Sequence, residues 1–193
     1  MARGMGRVRI IGGRWRGRWL DAPEHPGLRP TPDRVRETLF NWLQLRIAGA
    51  RCLDAFAGSG ALGFEAASRG AASVVMLENN PAVAVGLRDR ARAWGGAMDV
   101  ARVDSVQWLA AYAGEGFDLA FLDPPFGTGL MSEALSLLFR PGVLRDDARI
   151  YIERPAREAL PLLPQGWEPV RAKTAGEVAY ALIAESRPRL SGA

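Results

Sequence analysis

Cysteine, histidine and lysine each occur once in the 193 residues, as Cys52, His25 and Lys173. A single cysteine excludes an intrachain disulfide, and the apolar run around Cys52 reads as the setting of a buried, inert thiol. His25 has no evident partner, so nucleophilic dyads gain no support; no metal and no covalent enzyme intermediate are expected. No window approaches the roughly 18 apolar residues of a membrane span, and the positive N-terminus lacks the continuous apolar stretch of a secretory signal. These absences point to a soluble, cytoplasmic protein. Neither disorder nor a fibrous repeat fits a chain that is 48% apolar and 24% charged. The length suits one domain with a small appendage.

With one lysine, the positive charge is almost all arginine, and it is unevenly spread. Nine arginines and three acids fall within residues 1–36, so the front outweighs the whole-chain charge of +4 and the rest is slightly acidic. Clustered guanidinium groups displace counterions from phosphates, which makes the N-terminus a docking place for a polyanion. Val8 to Ile11, the pair Gly12-Gly13 and Arg14 to Leu20 read as a basic hairpin with Trp15 and Trp19 exposed. Thr31 reads as an N-cap with Pro32 at the first helical position. The following helix carries Val35, Leu39, Trp42, Leu43 and Ile47 on one apolar stripe.

From Arg51 short apolar runs alternate with helical stretches. Strands are expected at Cys52–Phe56, Ser73–Glu78, Met98–Val103, Phe117–Asp123 and Arg149–Glu153, with helices starting near Ala61, Pro81, Ser105 and Gly129. This rhythm implies an α/β fold with a mostly parallel sheet covered on both faces. Trp167–Lys173 and Val178–Ala184, joined at Ala175-Gly176, read as an antiparallel pair completing seven strands. Three parts are expected: a basic N-terminal hairpin and helix over 1–48, the α/β domain over 49–187, and a tail over 188–193.

Ligands of open α/β sheets bind at the carboxyl ends of the strands. Those ends carry Asp54, Glu78, Asp104, Asp123 and Glu153. Gly58-Ser59-Gly60-Ala61-Leu62-Gly63 follows the first of these strands and opens a helix, with Glu78 placed 18 residues beyond Gly60. The pattern fits a dinucleotide or an adenosyl cofactor. In either, Glu78 accepts from ribose hydroxyls. A pyrophosphate at the helix start would be repelled by Asp54, whereas the ammonium and sulfonium of S-adenosylmethionine would be attracted. Asp104 is placed to accept from an adenine amine, with Ser105 as a backbone donor beside it. Adenosylmethionine is therefore favoured over nicotinamide, with Asp54, Ala57, Gly58, Ser59, Gly60, Glu78, Asn79, Asp104, Ser105 and Thr31 as the candidate cofactor residues.

The strand ending at Asp123 runs into Pro124, Pro125 and Phe126. Two prolines make the loop rigid and free its carbonyls to accept from a ligand. Asp123 and the Pro124 carbonyl then suit the two hydrogens of an amine on a planar ring, with Phe126 stacking on that ring. Acceptors on those hydrogens draw the nitrogen towards a tetrahedral shape and aim its lone pair at a methyl carbon, and alignment supplies much of the rate.

Asp54-Ala55-Phe56-Ala57-Gly58-Ser59-Gly60, followed by Asp123-Pro124-Pro125-Phe126, resembles the motif pair of class I amino-methyltransferases. Ile10-Ile11-Gly12-Gly13, Arg16-Gly17 and the run from Gly27 through Arg29-Pro30-Thr31-Pro32-Asp33-Arg34-Val35-Arg36 to Leu43 resemble the RsmD family of 16S rRNA (guanine-N2)-methyltransferases. The resemblance extends from about Val8 to about Ala184. It implies the Rossmann-like class I methyltransferase fold, S-adenosylmethionine as methyl donor, and 16S rRNA in an assembled or assembling subunit as partner. It makes Arg14, Arg16, Arg18, Arg29, Arg34 and Arg36 candidate RNA contacts, with Trp15 or Trp19 available to stack on a base. Two other readings remain open on the residues: methylation of adenine N6 in DNA, and a non-catalytic rRNA-binding assembly factor.

Overall fold

The computed structural model describes residues 6–22 and 31–186. Strands β1 (Gly6–Arg9) and β2 (Trp19–Ala22) form an antiparallel ribbon, and helix α1 spans Asp33–Trp42. The alternating part follows: β3 (Arg51–Asp54), α2 (Ala61–Ser68), β4 (Ser73–Glu78), α3 (Pro81–Trp94), β5 (Met98–Arg102), α4 (Ser105–Ala111), β6 (Phe117–Leu122), α5 (Leu130–Leu138) and β7 (Leu144–Pro155). β8 (Trp167–Ala175) and β9 (Val178–Glu185) close the chain. His25, Arg29 and the tail lie outside the described residues.

The seven-stranded sheet has the order β5-β4-β3-β6-β7-β9-β8. β3 to β7 are parallel, and β9 runs antiparallel to both β7 and β8. Alternate residues of each inner strand point to opposite faces. Cys52, Met76, Phe121 and Tyr151 face the ribbon, α1, α2 and α3, while Leu53, Leu77, Leu122 and Ile152 face α4 and α5. Both faces are covered, which is why these strands read as unbroken apolar runs. The buried thiol of Cys52 is pushed up from its ordinary value by burial first, then by Asp118 and Asp54.

The N-terminal segment departs from its sequence reading. A 3-10 turn (Gly13–Trp15) interrupts the expected long hairpin. Gly13 has φ +75°, and a Cβ there would stand 1.9 Å from the Ser68 carbonyl, so this turn seats directly on the C-terminal end of α2. Trp15, expected to be exposed, is buried: its indole packs edge-on against Trp94 and near Phe64, with the Arg14 guanidinium 4.1 Å from the ring centre. Only Trp19 remains open, at 48% exposure.

Arg36 is a second correction. Charge clustering makes it a cation available to RNA, but it is fully buried. Its guanidinium donates to the Arg9 carbonyl (2.8 Å), to Asp33 (2.6 Å) and to the Thr31 carbonyl (3.3 Å), and it lies 3.6 Å from Glu65. Glu65, also fully buried, accepts from the backbone N–H groups of Ile11 and Gly12 and from Arg69. This ion pair fastens the ribbon and α1 onto α2, and a buried charge requires that many partners.

Candidate active site

The order of the sheet reverses between β3 and β6, and a crevice opens beyond their carboxyl ends. Asp54 is level with Met76, and Phe121 is level with Tyr151. Stepping by two along each strand keeps a side chain on one face. Asp123 follows Phe121 by two and Glu153 follows Tyr151 by two, so both acids join Asp54 on the face covered by α1. The cavity at these strand ends holds about 1220 Å³. That exceeds the usual range for a single small-ligand pocket.

Gly58 and Gly60 both adopt left-handed conformations, φ +51° and +78°, and Gly60 stands at the head of α2. In this loop, carboxylates already occupy N–H groups that a phosphate would need. Gly58 donates to Glu78 (2.9 Å), Gly63 donates to Asp54 (2.9 Å), and the Gly60 N–H is turned onto the Ala57 carbonyl (2.6 Å). An anion-binding helix start requires free N–H groups and no nearby negative charge, so the loop disfavours a pyrophosphate and favours a cation. Glu78 also accepts from the Asn80 N–H (2.7 Å), which leaves part of its lone-pair capacity toward the cavity.

Ala57, Ser59, Asn79, Asp104 and Ser105 line the same cavity. Asp104 caps α4 by accepting from Gln107 N–H (2.9 Å), which uses one of its two oxygens. The Ser105 hydroxyl is turned inward onto the Ala55 carbonyl and ties α4 to the end of β3.

Pro124 is buried, while Pro125 and Phe126 are exposed at the mouth of the cavity, Phe126 by 48%. The Pro125 carbonyl is taken by the Thr128 hydroxyl (2.7 Å). The Pro124 carbonyl accepts no hydrogen bond among the described residues.

Local sequence makes Thr31 both a helix cap and a cofactor contact. In the fold Pro32 occupies the cap position of α1 without a side-chain bond, and the Thr31 hydroxyl turns away from the helix. It reaches Glu153 (2.8 Å) and Asp123 (3.3 Å). The Tyr151 hydroxyl donates to the same Glu153 oxygen (2.8 Å). Sequence reasoning sets Glu153 at a strand end without a role in the site, and it misses Tyr151. The period of two from Tyr151 to Glu153 is the signal that identifies them as a pair.

These acids are crowded: Asp54 and Glu153 are buried and Asp123 is half-buried. Burial, opposed by the Gly63 N–H and reinforced by Glu78, pushes Asp54 up to about 7. Asp123 is raised well above its ordinary value by burial and then by Glu153 and Asp54, with the Thr31 hydroxyl opposing. Glu153 is raised by burial against the pull of Thr31 and Tyr151. Raised carboxyl groups in a cleft mark a site built for proton handling or for a cation. Among the described residues no group of His, Cys, Asp and Glu side chains is arranged to hold a metal, and no helix is long and apolar enough to cross a membrane.

Of the exposed arginines, Arg157 lines this cavity, whereas Arg14 and Arg18 lie away from it. Arg14 reaches the Gly95 carbonyl and Arg18 lies 5.2 Å from the Trp94 ring centre, both at the C-terminal end of α3. The Asn80 cap at the other end faces the cavity, roughly 20 Å away at 1.5 Å per residue. Arg16 and Arg34 are exposed.

The family described as Conserved hypothetical protein 95 matches residues 8–184. The chain is 49% identical to the Ribosomal RNA small subunit methyltransferase D of Escherichia coli K12, over 93% of this chain and 90% of that protein. It is 44% identical to the protein of that name from Haemophilus influenzae, over 92% and 93% of the two chains. The solved structure of the Escherichia coli protein yhhF superposes with a TM-score of 0.87 at 44% identity, covering 94% of this chain and 99% of that one. The parallel sheet, the reversal at β3 and β6 and the extent of these matches make the fold the Rossmann-like one of methyltransferases, and the chain belongs to the RsmD family.

Proposed function

We propose that this protein transfers the methyl group of S-adenosylmethionine to the exocyclic N2 amine of a guanine in 16S ribosomal RNA, acting in the cytoplasm on an assembled or assembling small subunit. One observation carries the reading: Asp123, Pro124 and Phe126 line one cavity together with Asp54, Ser59, Glu78 and Asp104, and the Pro124 carbonyl accepts no hydrogen bond among the described residues. The names of the relatives support a small-subunit RNA substrate.

Asp54, Glu78 and Asp104 would hold the methyl donor, with Ala57, Gly58, Ser59, Gly60, Asn79 and Ser105 shaping the pocket. Bound there, S-adenosylmethionine supplies a methyl group activated by its positive sulfur. Asp123 and Pro124 accept from the two hydrogens of the target amine and point its lone pair across the cavity, so orientation does much of the work. Phe126 offers its exposed ring as a stacking surface. A carboxylate matches the adjacent N1–H and N2–H donors of guanine better than the donor and acceptor of adenine. The 1–48 segment contributes Arg14, Arg16, Arg18, Arg29 and Arg34 to phosphate contacts. An RNA that touches both the ribbon tip and the crevice spans roughly 20 Å.

The test supplies tritiated cofactor with small subunits, free 16S rRNA and DNA, and identifies the labelled base. Label in N2-methylguanine of rRNA is expected, and Asp123→Ala should retain cofactor binding while losing methyl transfer. Label in adenine, or full activity in Asp123→Ala, would overturn the proposal.

A further inference from the structure

We infer that the Thr31 hydroxyl is a proton relay between Asp123 and Glu153, and that Glu153 receives the proton shed by the methylated amine. The inference deepens the reading above and rests on it. Thr31 has one hydroxyl hydrogen but stands within reach of two carboxyl groups, 2.8 Å from Glu153 and 3.3 Å from Asp123. It cannot donate to both. Once the pair has taken up one proton, the acid that carries it donates to the Thr31 lone pair while Thr31 donates to the other. Two states therefore exist, with the hydrogen on Thr31 directed to Glu153 or to Asp123, and a concerted shift of two hydrogens interconverts them.

The chemistry requires such an outlet. As the amine nitrogen forms its bond to the methyl carbon, the carbon–sulfur bond breaks and its electron pair stays on sulfur. The nitrogen then carries the positive charge, and one of its hydrogens passes as a proton to the Asp123 carboxylate it already faces. Asp123, now neutral, donates to Thr31 Oγ1 while the Thr31 hydrogen moves to Glu153 Oε1. One proton has travelled from the amine to Glu153, Thr31 is unchanged, and Asp123 is again a carboxylate able to grip product or the next substrate.

The surroundings suit this task. Thr31, Tyr151 and Glu153 are 6%, 1% and 3% exposed, so the receiving end is screened from bulk solvent while half-buried Asp123 opens to the cavity. Tyr151 holds the receiving oxygen from the far side. Glu153 of β7 and Asp54 of β3 act on Asp123 as like charges. Tyr180 of β9 stands opposite Glu153 in register, and Arg36 of α1 fixes the Thr31 carbonyl. Burial raises both acids, and at Asp123 Glu153 and Asp54 add to it, which brings them nearer the working pH of a proton acceptor.

The experiment follows single-turnover methyl transfer by the full chain across pH, with tritiated cofactor and small subunits. Thr31→Val, which keeps the shape but loses the hydroxyl, should slow transfer by about tenfold or more. Its cofactor affinity should stay within about twofold. Thr31→Ser should recover most of the rate. Glu153→Gln cannot take up the proton, so its rate should fall by about tenfold or more, and removing a like charge from beside Asp123 should move the acid limb of its pH profile down. Wild-type rates in Thr31→Val, or no recovery in Thr31→Ser, would overturn the relay. Should Thr31→Val fail to fold, a wild-type rate in Glu153→Gln overturns it alone. A wild-type protein that transfers no methyl group to RNA would instead refute the proposed function, before any variant is compared.

Discussion

Asp54 allows the electrostatic reasoning to be tested with a number. Its carboxyl is lifted from an ordinary 3.8 to about 7, mainly by burial. An acid raised on folding binds its proton more tightly in the native state, so stability is full below the unfolded value and is lost as pH rises through the folded value. Between pH 5 and pH 8 this single group should remove about 2.5 kcal/mol of stability. Asp54→Asn keeps an oxygen for the Gly63 N–H but cannot ionise. Asp123 and Glu153 contribute slopes of the same sign, so the informative quantity is the difference between wild type and variant. Losing the Asp54 charge also lowers Asp123, which enlarges that difference. Urea unfolding at pH 5 and pH 8, without cofactor, should show wild type losing more stability than Asp54→Asn by about 2.5 kcal/mol. A difference under about 1 kcal/mol would refute the burial argument. On the proposed placement of the sulfonium beside Asp54, the same variant should bind S-adenosylmethionine about tenfold more weakly at pH 8.

Two further perturbations separate chemistry from architecture. Phe126→Ala removes a ring that is half exposed. Its melting temperature should stay put while kcat/KM falls by about 1 to 3 kcal/mol in transition-state terms, as measured by initial rates on small subunits. Arg36→Met leaves Glu65 buried with Arg69 as its remaining cation. It should destabilise the protein by about 3 kcal/mol in denaturant titrations and leave the salt dependence of RNA binding unchanged. Arg16→Ala and Arg18→Ala should do the opposite: no loss of stability, and a log-log salt slope shallower by about 0.7 for each phosphate left unneutralised. A salt slope altered in Arg36→Met would contradict its burial.

The alternation of strands and helices was legible in the residues alone, because a strand buried on both faces must be apolar throughout and a surface helix must not be. β4 runs from Ser73 to Glu78 and α3 starts at Pro81, as the pattern required. The acids at the strand ends, the glycine loop and the rigid Asp-Pro-Pro-Phe turn could be read for the same reason: each is a local pattern with one mechanical meaning. What packs against what emerged only in the folded chain. Charge alone makes Arg36 an RNA contact, but folding places it opposite Glu65. Local propensity makes Thr31 a cap, but the approach of β6 and β7 offers its hydroxyl two carboxyl groups instead. Trp15 is exposed in a hairpin taken alone and becomes core once its turn meets α2. A partner distant in sequence is invisible to any rule that reads neighbouring residues. Burial and long-range hydrogen bonds therefore had to come from the fold.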